Sequence, residues 1–319
     1  MYLGTRDGVV KLGWEHAGWR QIGTSLAGHD VWVVAHRPGE PATLYAGVYG
    51  DNLYRSTDAG QTWHVIGEGE ALRYVRALAF SPQDADMLYV GTEPANIYQS
   101  TDGGDTWHDL GIRQLPGANT WFLPYSPRAG AVRTIVLHPT EPGLIYAGVE
   151  QGGVLKSVDG GATWTITQDQ VHPDVHTLAV HPEDPRVLFS ATGGGVYRTR
   201  DGARTWDRLI DGYTRGVAIH PIVPEVMFAG PARRVGHEGR ILASEDGGDT
   251  WMLAARGLDI PMLSMIESFF MHPVLPNDVF AITSQGRLLR SRVDRVRWRS
   301  VVTRLPFVHS MDIVSEGDC

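Results

Sequence analysis

The sequence is poor in cysteine, in long apolar runs and in positive charge. Its one cysteine, Cys319, is the last residue, so neither an intramolecular disulfide nor a cysteine-based zinc site is expected. No apolar run approaches the length of about eighteen residues that a membrane helix needs. The first ten residues (MYLGTRDGVV) lack the basic and apolar regions of a signal peptide. We therefore expect a cytoplasmic protein with no membrane partner.

The formal net charge is −8, which argues against a nucleic-acid partner because phosphate binding needs a basic face. A sustained helical period is also missing. Short alternating apolar segments, separated by Gly, Pro and Asp, are instead typical of strands and turns. Hydrophobic residues make up 42% of the 319 residues, which is enough to bury a core. The pattern predicts an all-β globular protein.

An octet of the form S/T-x-D-x-G-x-T-W is abundant. It occurs at residues 56–63 (STDAGQTW), 100–107 (STDGGDTW), 157–164 (SVDGGATW), 199–206 (TRDGARTW) and 244–251 (SEDGGDTW). In a hairpin, Gly can take a positive φ, Asp can accept hydrogen bonds from turn amides, and Trp can bury a large apolar area. Five copies of one chemical site are not needed, so we expect a structural role for the octet aspartates Asp58, Asp102, Asp159, Asp201 and Asp246.

Each octet belongs to a unit of about forty-five residues that offers four short strands. A sixth octet, residues 291–298 (SRVDRVRW), keeps only the Ser and the Trp. The leftover N-terminal segments resemble the last three strands of a unit, and the C-terminal segment after residue 307 resembles its missing first strand. Pairing the two ends would close a ring and remove exposed sheet edges. We therefore predict a seven-bladed β-propeller with Asp-box hairpins, formed as one domain over residues 1–319, with blades at about 31–73, 74–130, 131–173, 174–213, 214–263, 264–307 and 308–319 with 1–30.

The octets resemble the Asp-box, or BNR repeat, of sialidases, sortilin-type receptors, xyloglucanases and the photosystem II assembly factor. The resemblance implies a propeller in which each octet lies between the third and fourth strands, on the face away from the ligand site. Sialidases also carry a Phe/Tyr-Arg-Ile-Pro motif and have six blades. That motif is absent here, so sialidase activity proper is not expected.

Aligning the units on the turn after their first strand reveals a set of polar and aromatic residues five positions earlier. The set is Trp32, Arg76, Arg133, His176, Arg215, Glu267 and His309. First strands of a propeller face one another around a channel, so these side chains are predicted to form an anion pocket for a carboxylate, phosphate or sulfate. The alternative is that each Arg pairs with a carbonyl or carboxylate of a neighbouring blade and binds nothing.

Two further segments carry candidate site residues. The long connection at residues 108–130 contains Trp121 and Tyr125, which either stack on a ligand or anchor the loop. The run of His172, Asp174 and His176 has metal-ligating residue types, although such short clusters usually hold no metal. We predict no cofactor.

The sequence supports two functions of different classes. One is a binding propeller whose upper face engages a protein partner or an acidic small molecule. The other is a glycoside hydrolase or lyase of sialidase-like type acting on an acidic sugar, with Glu267, His176 and His309 as proton-transfer groups. An enzyme would direct these side chains into one deep pocket, whereas a scaffold would hold them in pairs.

Overall fold

A computed structural model describes residues 1–16, 18–67, 69–126, 129–167, 170–302 and 304–314. Cys319 lies outside these residues. Strands dominate the described part of the chain, which also contains the 3₁₀ helices Glu70–Leu72, Ile112–Gln114 and Ala118–Thr120. Within the same residues, no helix has the length and apolar character needed to cross a lipid bilayer. The chain divides into two compact units, Met1–Leu137 with Val302–Cys319, and His138–Val301.

The first unit contains three complete four-stranded sheets. One has the order β29-β1-β2-β3 and consists of β1 (Tyr2–Thr5), β2 (Gly8–Glu15), β3 (Gly18–Ser25) and β29 (Val308–Asp312). The second consists of β4 (Val31–Arg37), β5 (Glu40–Val48), β6 (Leu53–Ser56) and β7 (His64–Ile66). The third consists of β8 (Val75–Phe80), β9 (Leu88–Thr92), β10 (Ile97–Ser100) and β11 (His108–Asp109). Strand β12 (Ala131–Leu137) is also in this unit.

The second unit continues the same pattern of consecutive strands. It begins with β13 (Ile145–Glu150), β14 (Gly153–Ser157) and β15 (Thr165–Thr167). The next sheet consists of β16 (Val175–Val180), β17 (Leu188–Thr192), β18 (Gly195–Thr199) and β19 (Asp207–Asp211). A five-stranded sheet follows with β20 (Tyr213–Ile219), β21 (Met227–Arg234), β22 (His237–Gly239), β23 (Leu242–Ser244) and β24 (Met252–Leu253). The last sheet consists of β25 (Ile266–Phe270), β26 (Asp278–Thr283), β27 (Leu288–Arg292) and β28 (Arg299–Ser300).

The described residues form seven sheets, one for each predicted blade. The predicted seven-bladed β-propeller is thus confirmed, and so is its closure by the two ends of the chain. Strand β29 pairs antiparallel with β1, with Tyr2 opposite Asp312 and Leu3 opposite Met311. That the chain forms one domain stays a prediction.

The core consists of apolar layers between neighbouring sheets. In the first unit, Tyr45, Leu53 and Ile66 of one sheet pack against Val75, Leu88 and Val90 of the next. In the second unit, Phe228 and Ile241 pack in the same way with Phe269, Val279 and Trp298. A Cβ added at Gly230 would lie 2.6 Å from the Cβ of Ile266, so glycine there permits the close approach of two strands. These sheets therefore bury their faces against neighbouring sheets.

The octets form the hairpins between the third and fourth strands of their blades, as the first octet illustrates. Ser56 Oγ accepts a hydrogen bond from the Gly60 backbone N–H at 2.9 Å and donates to Asp58 at 2.8 Å. The Asp58 carboxylate also accepts from the backbone N–H and hydroxyl of Thr62, at 2.8 and 2.6 Å. Trp63 Nε1 donates to the Gly60 carbonyl at 3.2 Å. The motif thus satisfies the polar groups of its own tight turn.

The departures from the octet pattern have local consequences. Ala203 replaces the fifth-position glycine of the fourth octet and has a φ of 69°, an uncommon conformation for a residue with a Cβ. In the sixth octet, Ser291 Oγ accepts from the Arg297 backbone N–H at 2.7 Å, and Trp298 is only 1% exposed. The Ser and the Trp of that octet therefore keep a structural role, although the aspartate is missing.

The octet aspartates should make the stability of the fold sensitive to acid. Hydrogen bonds from the side chain and backbone of Thr163 lower the pKa of Asp159 from 3.8 to about 2. A lowered pKa in the folded state stabilises the fold above pH 4, and this contribution is lost as the pH falls towards 2. The free energy of unfolding, measured by urea denaturation, should therefore decrease over this window. In Asp159→Asn the decrease should be smaller, with parallel curves above pH 5, and an unchanged decrease would contradict this account.

The two adjacent glycines of the fifth octet provide a matched pair of substitutions. Both have positive φ, but a Cβ at Gly247 would meet nothing within 4 Å, whereas a Cβ at Gly248 would lie 2.8 Å from the ring of Phe189. Gly247→Ala should cost about 1 kcal/mol of unfolding free energy from backbone strain. Gly248→Ala should cost about 2–4 kcal/mol because overpacking is added. Equal losses in chemical denaturation would show that the contact with Phe189 is unimportant.

Candidate functional site

The residues selected by aligning the repeats occupy β-bulges. In the first strands of six blades, the pairing register with the second strand shifts, and the residues skipped at these shifts include Trp32, Arg76, His176, Arg215, Glu267 and His309. A bulge leaves a residue outside the regular ladder and re-aims its side chain. Arg133, in β12, is half-buried in the first unit. The repeated position is therefore a feature of the backbone as well as of the sequence.

A buried ion pair holds Arg76 in the first unit. Arg76 Nη1 lies 3.1 Å from Glu93 Oε2, and the two side chains are 3% and 0% exposed. The other carboxylate oxygen of Glu93 accepts hydrogen bonds from the hydroxyls of Ser126 at 2.8 Å and Tyr49 at 3.4 Å. Because Glu93 already neutralises Arg76, an external anion has to compete with an internal carboxylate for this guanidinium.

Three planar side chains pack against the ring of Trp32. The Arg76 Cζ lies 4.1 Å from the ring centroid. Tyr49 and His309 stack on Trp32 with centroid separations of 4.6 and 4.9 Å. Asp30 ties the stack together, since it accepts a hydrogen bond from Trp32 Nε1 at 3.0 Å and contacts His309 Nε2 at 2.8 Å.

The Asp30 carboxylate remains ionised in this setting. Burial by itself raises the pKa of Asp30, but its contacts with His309 and Trp32 outweigh that effect and hold the pKa below the usual range. A carboxylate on Nε2 gives His309 the arrangement of an oriented general base. Its ring is nevertheless stacked on Trp32, so the indole face that a sugar would use is engaged by protein groups.

A second chain of polar contacts lies in the second unit. Arg215 Nη1 contacts both carboxylate oxygens of Glu267, at 2.8 and 3.1 Å. Arg215 Nε donates to the Tyr213 hydroxyl, which lies 3.1 Å from His176 Nε2. Burial tends to lower the pKa of Arg215, but the negative charge of Glu267 raises it above its ordinary value. Glu267 therefore serves here as a counter-ion.

His176 also lies beside two buried carboxylates. Its Nε2 is 3.2 Å from Asp174 Oδ1 and 3.9 Å from Glu150 Oε1. His172 Nδ1 instead accepts the backbone N–H of Asp174 at 3.2 Å, so this histidine shapes the turn. Of the predicted metal-ligating residues, Asp174 and His176 thus come together, and Glu150 joins them from another strand.

The connection at residues 110–126, here called the aromatic loop, is firmly packed. Trp121 is 3% exposed, which favours the anchoring alternative for this residue over ligand stacking. Ser126 fixes the end of the loop through Glu93. Phe122 and Tyr125 are 66% and 59% exposed. The loop therefore exposes two aromatic side chains, while its backbone is fixed by packing.

Sequence reasoning missed two of the carboxylates that complete these contacts, Glu93 and Glu150. Glu93 follows the second strand of its blade, and Glu150 is the last residue of the second strand in the next blade. The phrases LYVGTE and IYAGVE carry both residues at the same repeat position. An acidic residue directly after a Tyr-x-Gly-x phrase is therefore a sequence signal for a carboxylate that contacts a bulge side chain.

The buried pair of Arg76 and Glu93 predicts a large coupling energy. Glu93→Gln removes the negative charge opposite a buried guanidinium and should cost about 3–5 kcal/mol of unfolding free energy. The double variant Arg76→Met/Glu93→Gln should recover part of this loss in a double-mutant cycle. Asp294→Asn is the control, because its pair with Arg292 is half exposed and should change stability little. Additive losses for the buried pair would contradict the prediction.

Comparison with known proteins supports the fold. The BNR/Asp-box repeat model matches residues 54–65. A search of curated protein sequences found no significant match. The GH74 enzyme of Niastella koreensis is 18% identical with a TM-score of 0.70, and the alignment covers 93% of this chain and 51% of that one. This chain thus spans about half the length of that enzyme.

Two YCF48 structures match over most of both chains. YCF48 from Cyanidioschyzon merolae is 16% identical with a TM-score of 0.66, and 92% of each chain is covered. YCF48 bound to D1 peptide is 15% identical with a TM-score of 0.60, with 94% of this chain and 82% of the other covered. Identities this low establish the fold and leave the function open. The protein is a seven-bladed β-propeller that carries a BNR/Asp-box repeat at residues 54–65.

Proposed function

We propose that the protein is a non-enzymatic binding propeller whose aromatic loop engages an apolar segment of a protein partner. The observation that carries this proposal is the pair of exposed aromatic rings, Phe122 and Tyr125, on a loop whose backbone is already fixed. Exposed aromatic side chains on a rigid support are common energetic centres of protein interfaces. A fixed loop also loses little conformational freedom on binding.

The pairing of charges argues for recognition by the aromatic loop over an open anion pocket. Arg76 and Arg215 both have internal carboxylate partners, at 3.1 and 2.8 Å. An acidic small molecule would have to displace Glu93 or Glu267 before it gained a bidentate contact. A protein segment would instead contact the exposed rings of Phe122 and Tyr125.

The peptide-bound structure of YCF48 gives independent support. That protein has the same fold over most of its length, and its structure contains a bound D1 peptide. A propeller of this fold is therefore able to bind a peptide. We carry over only this general mode of recognition, a peptide on a propeller.

A glycoside hydrolase or lyase is the second candidate, and one observation favours it. The contact of 2.8 Å between His309 and Asp30 has the geometry of an oriented base. In that case Arg76 and Arg133, which belong to the same unit as His309, would hold an acidic sugar. The ion pairs of Arg76 and Arg215 weigh against this function.

Selection from a displayed peptide library on the immobilised full-length protein tests the first proposal. Selected peptides should be rich in apolar residues, and their affinity should be measured by calorimetry. Phe122→Ala and Tyr125→Ala should each weaken binding at least tenfold, because each removes an exposed ring of the interface.

Val158→Ala is the matched control. Val158 is 67% exposed but lies in an octet hairpin, so its truncation should leave peptide affinity unchanged. Peptides that bind Phe122→Ala and Tyr125→Ala as tightly as the unmodified protein would refute the role of the loop. Turnover of an acidic oligosaccharide that is abolished by His309→Gln would support the enzyme instead.

A further inference from the structure

A turn of the form His-Pro-x-x-Pro occurs four times in the second unit, each time after the first strand of a blade. Its two central residues are polar in the first two copies and apolar in the last two. The copies are residues 138–142 (HPTEP), 181–185 (HPEDP), 220–224 (HPIVP) and 272–276 (HPVLP). The last two copies are here called the apolar turns. Since Thr, Glu and Asp occupy the same positions in the other copies, the turn does not need Ile or Val to form.

The same hydrogen bond holds a polar and an apolar copy of the turn. In the polar copy, His181 Nδ1 accepts the backbone N–H of Asp184 at 3.2 Å. In the apolar copy, His220 Nδ1 accepts the backbone N–H of Val223 at 2.9 Å. The histidine and the backbone thus fix the turn, and the side chains of the central pair take no part in this bond. Replacing one central pair by another should therefore leave the turn intact.

The apolar turns are neighbours, and they expose aliphatic side chains. His220 Nε2 lies 2.6 Å from the carbonyl oxygen of Pro276, so the two turns are in contact. Ile222, Val223 and Val274 are 57%, 45% and 42% exposed. Contiguous exposed apolar side chains on a folded protein are typical of an interaction site, whereas single ones need no explanation.

A basic segment borders the apolar turns. Neighbouring strands of a blade run in opposite directions, so the turn between β25 and β26 and the octet between β27 and β28 lie at the same end of the sheet. The backbone N–H of Val293, in that octet, donates to the Asn277 carbonyl at 2.9 Å, directly after the second apolar turn. Residues 290–299 (RSRVDRVRWR) contain five arginines and one aspartate.

Salt bridges neutralise only part of this basic segment. Arg290 pairs with Asp278 at 2.7 Å, and Arg292 pairs with Asp294 at 2.8 Å. The remaining arginines are exposed and form no salt bridge with any residue that the structure describes: Arg295, Arg297 and Arg299. The apolar turns therefore have a positively charged border, although the net charge of the chain is −8.

We propose that the apolar turns and the arginines beside them bind an acidic segment of a partner protein that also carries apolar side chains. The turns bury the apolar side chains of that segment, and the arginines pair with its Asp and Glu residues. This surface lies in the second unit and the aromatic loop lies in the first, so the proposal does not rest on the proposed function.

The charge of the surface favours this partner over two others. A second copy of the chain would bring the same arginines against one another, and like charges oppose such a contact. Surfaces that insert into lipid typically use Trp, Phe or Leu. The exposed apolar side chains here are the shorter, branched Ile222, Val223 and Val274. An acidic protein segment meets both the apolar and the basic part of the surface.

Selection from a displayed peptide library tests the proposal. The immobilised protein is full-length Phe122→Ala/Tyr125→Ala, in which the aromatic loop can no longer contribute its rings. Selected peptides should combine Asp or Glu with Leu, Ile or Phe. Their Kd, measured by calorimetry, should rise with salt concentration, because salt screens exposed ion pairs. Selection of basic or uncharged peptides, or of none, would overturn the proposal.

The repeated turn itself supplies the variants. Ile222→Thr/Val223→Glu introduces the central pair of residues 138–142, so the protein should remain folded by circular dichroism. It should weaken binding of the selected peptides at least tenfold, because apolar contacts are lost and a negative charge faces an acidic segment. Thr140→Glu is the matched control, because it adds the same charge to a polar turn and should leave Kd unchanged.

Arg295→Gln/Arg297→Gln tests the basic border. It should weaken binding about fivefold at low salt and much less at high salt. Equal affinity of the selected peptides for folded Ile222→Thr/Val223→Glu would overturn the proposal. Two further measurements on the protein without peptide identify the other occupants. Co-sedimentation with phosphatidylserine vesicles, or dimerisation in analytical ultracentrifugation, that is lost in Ile222→Thr/Val223→Glu would assign the surface to a membrane or to a second copy instead.

Discussion

Packing of apolar side chains between neighbouring blades is the interaction on which the rest of the structure depends. A four-stranded sheet exposes two faces, and the layers around Tyr45 and Phe228 bury those faces only when the next sheet is present. The close approach at Gly230 belongs to the same constraint. The octet hairpins and the bulges can hold their geometry because these layers fix the strands on which they lie.

Charge balance is the second constraint. The bulges turn polar side chains out of the ladder and into the interior, where a lone charge is costly. Arg76 with Glu93 and Arg215 with Glu267 meet this cost in pairs. Beside His176, the carboxylates of Asp174 and Glu150 lie 3.2 and 3.9 Å from the imidazole Nε2.

The fold could be predicted well from the sequence because the octet specifies a local turn. Asp58 and Trp63 act within eight residues, so their spacing is visible without any knowledge of the neighbouring blade. The bulge positions were also accessible, since the repeats align on a common turn. The pairings of Arg76 with Glu93 and of Arg215 with Glu267 were not, because each carboxylate reaches its arginine from a distant segment of the chain, at a distance that depends on sheet twist. The burial of Trp121 likewise depends on how a loop folds back, which no periodicity encodes.

The placement of one tryptophan in each octet hairpin has an optical consequence. Trp164, Trp206 and Trp298 are nearly sealed from solvent, with exposures of 8%, 5% and 1%, and each belongs to a different blade. The molecule therefore carries built-in fluorophores at regular intervals along its chain. The fluorescence of variants that retain one tryptophan would report the unfolding of the blade that contains it. Unfolding of single blades can then be distinguished from cooperative unfolding of the whole chain without an added label.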